Sequence, residues 1–151
     1  MGNRAVITAS KSSAVAGSSD LGVYLHWNGG RDSVEAFLTY CRIQGFRSPD
    51  VDNYGWARLV QVISNFMGGD GLSVGIDKCS RLDCDNYDNG VYIIKGWEIV
   101  GRQYKRSPEQ HHYDLAEMVK YIDECQPAKM QLGADRIDEE LAKLKEVPDN
   151  D

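Results

Sequence analysis

Apolar and polar residues alternate from Val23 to Trp27, with Val23, Leu25 and Trp27 on one side and Tyr24 and His26 on the other, the period of a half-buried strand. Gly29 and Gly30 turn the chain, and Val34, Phe37, Leu38 and Cys41 then recur at helical spacing. Asp32 followed by Glu35 fits a capping box, so this first helix is predicted to begin near Ser33 and to stop at Gly45. Upstream, Arg4–Ala9 reads as a short strand that pairs with Gly22–Trp27, and the Ser-, Ala- and Gly-rich stretch 11–20 joins the two. After a loop over Ser48–Asn53, with Asn53 as cap, Trp56, Leu59, Val60, Ile63, Phe66 and Met67 form the stripe of a second helix ending at Gly68-Gly69. Leu72, Val74 and Ile76 alternate again. Val91–Ile94 and Trp97–Val100 read as a hairpin through Lys95-Gly96, and a three-stranded antiparallel unit is expected from these segments. A third helix over Tyr113–Glu124 carries Leu115, Met118, Val119 and Ile122 on one face and stops before Pro127. A last, thinner stripe of Ile137, Leu141 and Leu144 suits either a packing arm or a subunit contact.

No internal repeat is visible, and this order of elements predicts an α+β fold. A mainly antiparallel sheet packs against helices, with a C-terminal helical arm. At 151 residues, a single ligand-binding domain over 1–130 and an acidic helical tail over 131–151 are expected. Charge sharpens that division. Of the net charge of −6, seven acidic against three basic residues between Asp135 and Asp151 account for −4, leaving −2 for the body. Such a body lacks the basic face that long nucleic acid demands, whereas a small anion needs only a few arginines. No stretch reaches the roughly 20 apolar residues of a membrane span, and the opening residues lack the apolar core of a secretory signal. A cytoplasmic protein with no membrane partner is expected. Cys41, Cys79, Cys84 and Cys125 are too sparse for a disulfide scaffold and read as reduced thiols.

Candidate chemistry lies at the ends of elements. At Gly29-Gly30-Arg31, free N–H groups, the positive end of a helix dipole and a guanidinium could hold a phosphate; a plain strand–turn–helix corner explains the same residues. The run Asp83–Gly90 resembles a calcium loop, but an EF-hand's sixth and twelfth places fall on Asp88 and Ile94, which breaks the pattern. An Asx-rich turn, with Asn89-Gly90 in left-handed backbone, or a platform of Tyr87 with Asn86 and Asn89 reading a base edge, are the alternatives. Cys79 and Cys84 lack two further zinc ligands, and the adjacent His111 and His112 diverge. Neither a metal nor a cofactor is expected. Hydrolase elbows, phosphate-binding Walker loops and zinc-protease helices are missing. Tyr54, Trp56 and Arg58 gather at the start of the second helix, and Arg102, Tyr104, Lys105 and Arg106 after the last strand. Guanidinium forks match phosphate oxygens, and rings or arginine planes stack on a base.

Three strings, Val23–Phe37 (Val-Tyr-Leu-His-Trp-Asn-Gly-Gly-Arg-Asp-Ser-Val-Glu-Ala-Phe), Asp52–Leu59 and Asp88–Arg102, together make a chain that resembles small proteins of phages and prophages. Over roughly Arg4 to Pro127 it is similar to the first family of Thoeris anti-defence proteins. That resemblance implies a protein that is not an enzyme. It would be a sponge for the cyclic ADP-ribose isomer made by bacterial TIR-domain defence proteins, able also to take cyclic trinucleotides of CBASS immunity and to assemble as a homo-oligomer, a dimer or hexamer. By residue chemistry, the candidate ligand-binding set is Arg58, Tyr87, Asn89, Arg102 and Arg106, with Arg31 and Gly30 as a second anion site. Two other classes are compatible with the chain: a protein-binding inhibitor of a host nuclease or other defence effector, whose acidic tail imitates nucleic acid, and a small nucleotide-processing enzyme.

Overall fold

The computed structural model describes residues 2–68 and 73–146. Leu72 and Gly69, named above, lie outside the described residues, as does the tail beyond 146. Five strands, β1 (Ala5–Thr8), β2 (Leu21–Leu25), β3 (Val74–Lys78), β4 (Val91–Lys95) and β5 (Glu98–Gln103), form one sheet in the order β3-β2-β1-β4-β5. All neighbours are antiparallel except β1 and β4, which run parallel. Four helices, α1 (Arg31–Ile43), α2 (Asn53–Phe66), α3 (Leu115–Glu124) and α4 (Ala134–Glu146), complete the α+β fold. The expected three-stranded unit does not form. β3 pairs with β2 at one edge while the β4–β5 hairpin lies at the other, because β1 inserts between them.

Strand alternation sorts the side chains into two layers. Ala5 and Ile7, Val23 and Leu25, and Tyr92 and Ile94 face the helices and share their core with Phe37, Leu38, Leu59, Ile63, Val119 and Ile122. Val6 and Val91 face the other way and are covered by Val15, Cys79 and Cys84 from two short 3-10 turns and their loops. Trp27, expected inside the second strand, lies past its end and is 47% exposed. Burial raises the pKa of the Cys79 thiol and pushes that of Cys84 up to about 11, which keeps both protonated at neutral pH.

Local chemistry sets the helix ends. Asp52, not Asn53, caps α2, its side chain accepting from Tyr54 N at 2.9 Å. Gly55 is obligatory one turn on, since a Cβ there would stand 2.5 Å from the backbone of Ser48 and Pro49. Asp114 caps α3 by accepting from Glu117 N. The thin stripe of α4 is turned inward: Ile137 is fully buried, Leu141 nearly so, and Asp138 pairs with Lys120 of α3 at 2.9 Å. The final helix is therefore a packing element of the same core. Among the described residues, no helix is long and apolar enough to cross a membrane.

Candidate functional site

α1 has 13 residues and is about 20 Å long at 1.5 Å per residue. The candidate residues divide between its ends. At the N-terminal end the helix starts at Arg31 with Gly30 as a cap lacking a side-chain bond, so Asp32 sits inside the first turn, not ahead of it. The capping box is replaced by a longer-range device. The segment following β5 folds over this end: Gln110 O accepts from Asp32 N at 3.2 Å, while Asp32 Oδ2 accepts from His112 N at 2.6 Å and Tyr113 N at 3.0 Å. Asp32 Oδ1 takes Ser33 N at 2.7 Å. A Cβ on Gly30 would lie 2.5 Å from Gln110 Oε1, so the glycine makes room for the protein's own amide. Arg31 is spent on Glu35 at 2.6 Å and Glu109 at 3.3 Å. Burial works against its charge, but these carboxylates outweigh it and hold its pKa above the ordinary arginine value. The Arg31 guanidinium and the Asp32 and Ser33 amides at this helix start are thus engaged internally.

Tyr87, Asn89, Arg102 and Arg106 do come together, beside that end of the sheet. Asn86 builds the Asx turn, its Oδ1 accepting from Asp88 N at 3.1 Å and Gly90 N at 3.0 Å, so Asn86 is committed to the backbone. Gly90 takes the left-handed conformation, but the other left-handed residue of the turn is Tyr87, not Asn89. Asn89 is fully buried; its Nδ2 donates to Asn3 Oδ1 at 2.6 Å and Arg4 O at 3.0 Å, and its Oδ1 has no partner but is buried too, so no amide edge is exposed to a base. Arg106 lies 4.5 Å from the exposed Tyr87 ring and forks onto Asp85 at 2.6 and 2.5 Å. Hydrogen bonding to Arg106 holds the Asp85 carboxyl below the ordinary aspartate pKa. Arg102 donates to Asn89 O and Ser107 O, both at 2.9 Å, and its guanidinium stands 5.7 Å from the Tyr92 ring. The Tyr92 hydroxyl is buried without a partner, and burial pushes its pKa up to about 12. Among the described residues no group of three or more His, Cys, Asp or Glu could hold a metal; Asp88, in the run whose spacing breaks the calcium-loop pattern, pairs with Arg4 at 2.7 Å.

Arg58 is at the other end of α1, in a basin of about 450 Å³. Gln44 and Phe46 from the end of α1, Arg58 and Gln61 from α2, Lys129 to Leu132 from the loop after α3, and Arg136 from α4 line it. Among the described residues, no carboxylate does. Among the described residues, Arg58, Lys129 and Arg136 have no ion-pair partner. The Arg58 guanidinium lies 4.7 Å from the Tyr54 ring, and its Nε is buried without an acceptor. The loop is held firmly from below. Asp123 accepts from Leu132 N at 2.8 Å, Gly133 N at 2.9 Å and the Tyr40 hydroxyl at 2.6 Å, and Gln44 Nε2 donates to Met130 O at 2.6 Å.

A larger cleft of about 630 Å³ runs between α1, the β4–β5 turn and α4, but its arginines are neutralised, Arg31 by Glu35 and Glu109 and Arg42 by Glu98 at 2.8 Å, and its remaining cation, Lys145, shares the lining with the carboxylates Glu35, Glu98, Asp114 and Asp138. An anion therefore finds its most favourable field in the Arg58 basin. Its described lining supplies donors and amides, with neither a histidine, a thiol nor a carboxylate among those residues. Lys129 and Arg136 escaped the sequence reading because one sits in a short turn and the other within the acidic stretch. Their convergence on Arg58 is a property of the tertiary fold. Comparison with protein-family models, with curated proteins and with solved structures gives no match.

Proposed function

We propose that this protein binds a small cyclic nucleotide immune signal and holds it without degrading it, the anti-defence sponge role implied by its resemblance to the Thoeris anti-defence proteins. The observation that carries this reading is the basin whose three cations, Arg58, Lys129 and Arg136, have no carboxylate partner among the described residues. A cyclic ADP-ribose isomer presents a diphosphate, and guanidinium forks with an ammonium match its oxygens and charge. The Arg58 guanidinium plane, backed by the Tyr54 ring outside the lining, offers a stacking surface, and Gln61 adds an amide to the lining. A cavity of about 450 Å³ falls in the ordinary range for small-molecule sites. Retention without turnover fits a lining of donors that offers no acid–base pair. The resemblance also implies assembly as a dimer or hexamer, which sedimentation of the purified protein measures.

The test is retention and release. The protein is mixed with the cyclic ADP-ribose isomer or, separately, a cyclic trinucleotide, freed of unbound ligand by filtration, and heated. Release of intact ligand is expected and identifies the signal taken. A converted product would mean an enzyme. No retained ligand would replace the sponge by an inhibitor that binds a host protein.

A further inference from the structure

We infer that a second pocket, remote in character from the cationic basin, binds an organic cation of the alkylammonium or guanidinium class. It has a volume of about 490 Å³, and its lining includes Asn28, Phe66, Tyr113, Asp114, Glu117 and Tyr121. Three aromatic rings and two carboxylates in one concavity, with no basic residue among the described lining residues, make the inverse of an anion site. Ring faces carry negative potential that attracts a cation, and the effect grows when the cation sheds its water against apolar walls.

The parts are fixed by the fold. Glu117 and Tyr121 lie one turn apart on the exposed side of α3, and Asp114, its N-cap, stands just ahead of them with one carboxylate oxygen accepting from Glu117 N. Phe66 closes the pocket from the end of α2, edge-on to Tyr121 at 5.4 Å and braced behind by Phe37 at 5.3 Å. Tyr113 is tied through its backbone to Asp32, yet its side chain is 55% exposed, as Tyr121 is at 56%. Asn28 holds a left-handed backbone at φ 55° at the rim.

The charges agree. Among the described residues neither Asp114 nor Glu117 forms a salt bridge; the neighbouring Lys120 ammonium is held by Asp138 at 2.9 Å, while Glu117 and Asp114 are near enough to help raise its pKa. The positive end of α3 opposes a cation here, but it amounts to about half a charge against two formal carboxylates. Sodium or potassium would gain little, since a small hydrated ion cannot use the rings. An organic cation with an apolar body uses both.

The experiment follows the ring resonances of Phe66, Tyr113 and Tyr121 during titration of the full-length protein at constant ionic strength. The probes are spermidine, as a free organic cation, an arginine-containing tripeptide, as a side chain on a polypeptide, and sodium chloride. Saturable shifts at these three rings with either organic probe, but not with sodium, are expected, and the tighter probe names the source of the cation. Asp114→Asn and Glu117→Gln remove charge while an N-cap and a helix former are kept, and Tyr121→Leu removes an exposed ring. Each should weaken binding about five-fold or more. Shifts that do not saturate, that sodium reproduces, or that persist at the same midpoint in all three variants overturn the inference.

Discussion

The two ends of α1 hold the same kind of residue in opposite conditions. At the N-terminal end, where a helix dipole favours an anion, Arg31 has two carboxylates, Asp32 fills the positive field, and Gln110 O accepts from the Asp32 amide. At the C-terminal end, where the dipole draws cations, Arg58, Lys129 and Arg136 line one basin with no ion-pair partner among the described residues, although Asp135 and Glu139 stand with Arg136 in the adjoining concavity. Partner status, more than dipole or residue type, therefore decides which arginine is available to a ligand. A paired arginine would have to exchange one anion for another, whereas an unpaired one gains a partner outright.

The largest effect that can break this comparison belongs to the double variant Arg58→Ala, Arg136→Ala. Each charge-assisted contact contributes about 1.5–3 kcal/mol, so retention of the cyclic ADP-ribose isomer should fall by at least about a hundred-fold while the melting curve is unchanged. Calorimetric titration checks this. Next comes Asp123→Ala, which strands the buried Tyr40 hydroxyl and the Leu132 and Gly133 amides that seat the cationic loop. A loss of about 3 kcal/mol in denaturant unfolding is expected, with weakened ligand retention besides.

At the opposite end, Arg102→Ala removes two donors to backbone carbonyls and should cost about 1–2 kcal/mol of stability, read by denaturant unfolding, while ligand affinity is kept. The smallest effect is that of Arg106→Ala. Its pair with Asp85 is exposed, so the melting temperature should hardly move, but the Asp85 carboxyl should titrate at the ordinary aspartate value. The sign follows from the lowered pKa of Asp85 in the folded protein. Whatever stability the pair adds is present above the ordinary aspartate pKa of about 3.9 and is lost as pH falls below it. Carbon-detected titration of Asp85 in both proteins measures the difference.

Sequence periodicity revealed the elements because each has one buried face. Val23 and Leu25, Leu59 and Ile63, and Met118, Val119 and Ile122 all lie where their spacing places them. The parallel pairing of β1 with β4 left no such mark: Ile7 alternates in the same way whichever strand lies beside it. Long-range caps were equally hidden. Asp32 looks like a local helix signal, and only the return of residues 110–113 shows what it binds. In the candidate site, Arg58 was legible as a residue off the apolar stripe of α2. Lys129 and Arg136 were not, since a cation in a turn and one in an acidic stretch acquire meaning only when α4 packs beside α3. Asn89 misled for the converse reason: an amide beside a glycine suits a ligand as well as a turn, and burial decides between them.

The central claim is that the signal is held by the unpaired cations around Arg58. The most direct measurement is the affinity of the cyclic ADP-ribose isomer for Arg58→Ala and Arg102→Ala side by side, with both variants shown to be folded. The account predicts binding weakened at least about ten-fold in the first and wild-type binding in the second. Undiminished binding to Arg58→Ala, with loss in Arg102→Ala, would contradict it and move the site to the other end of α1.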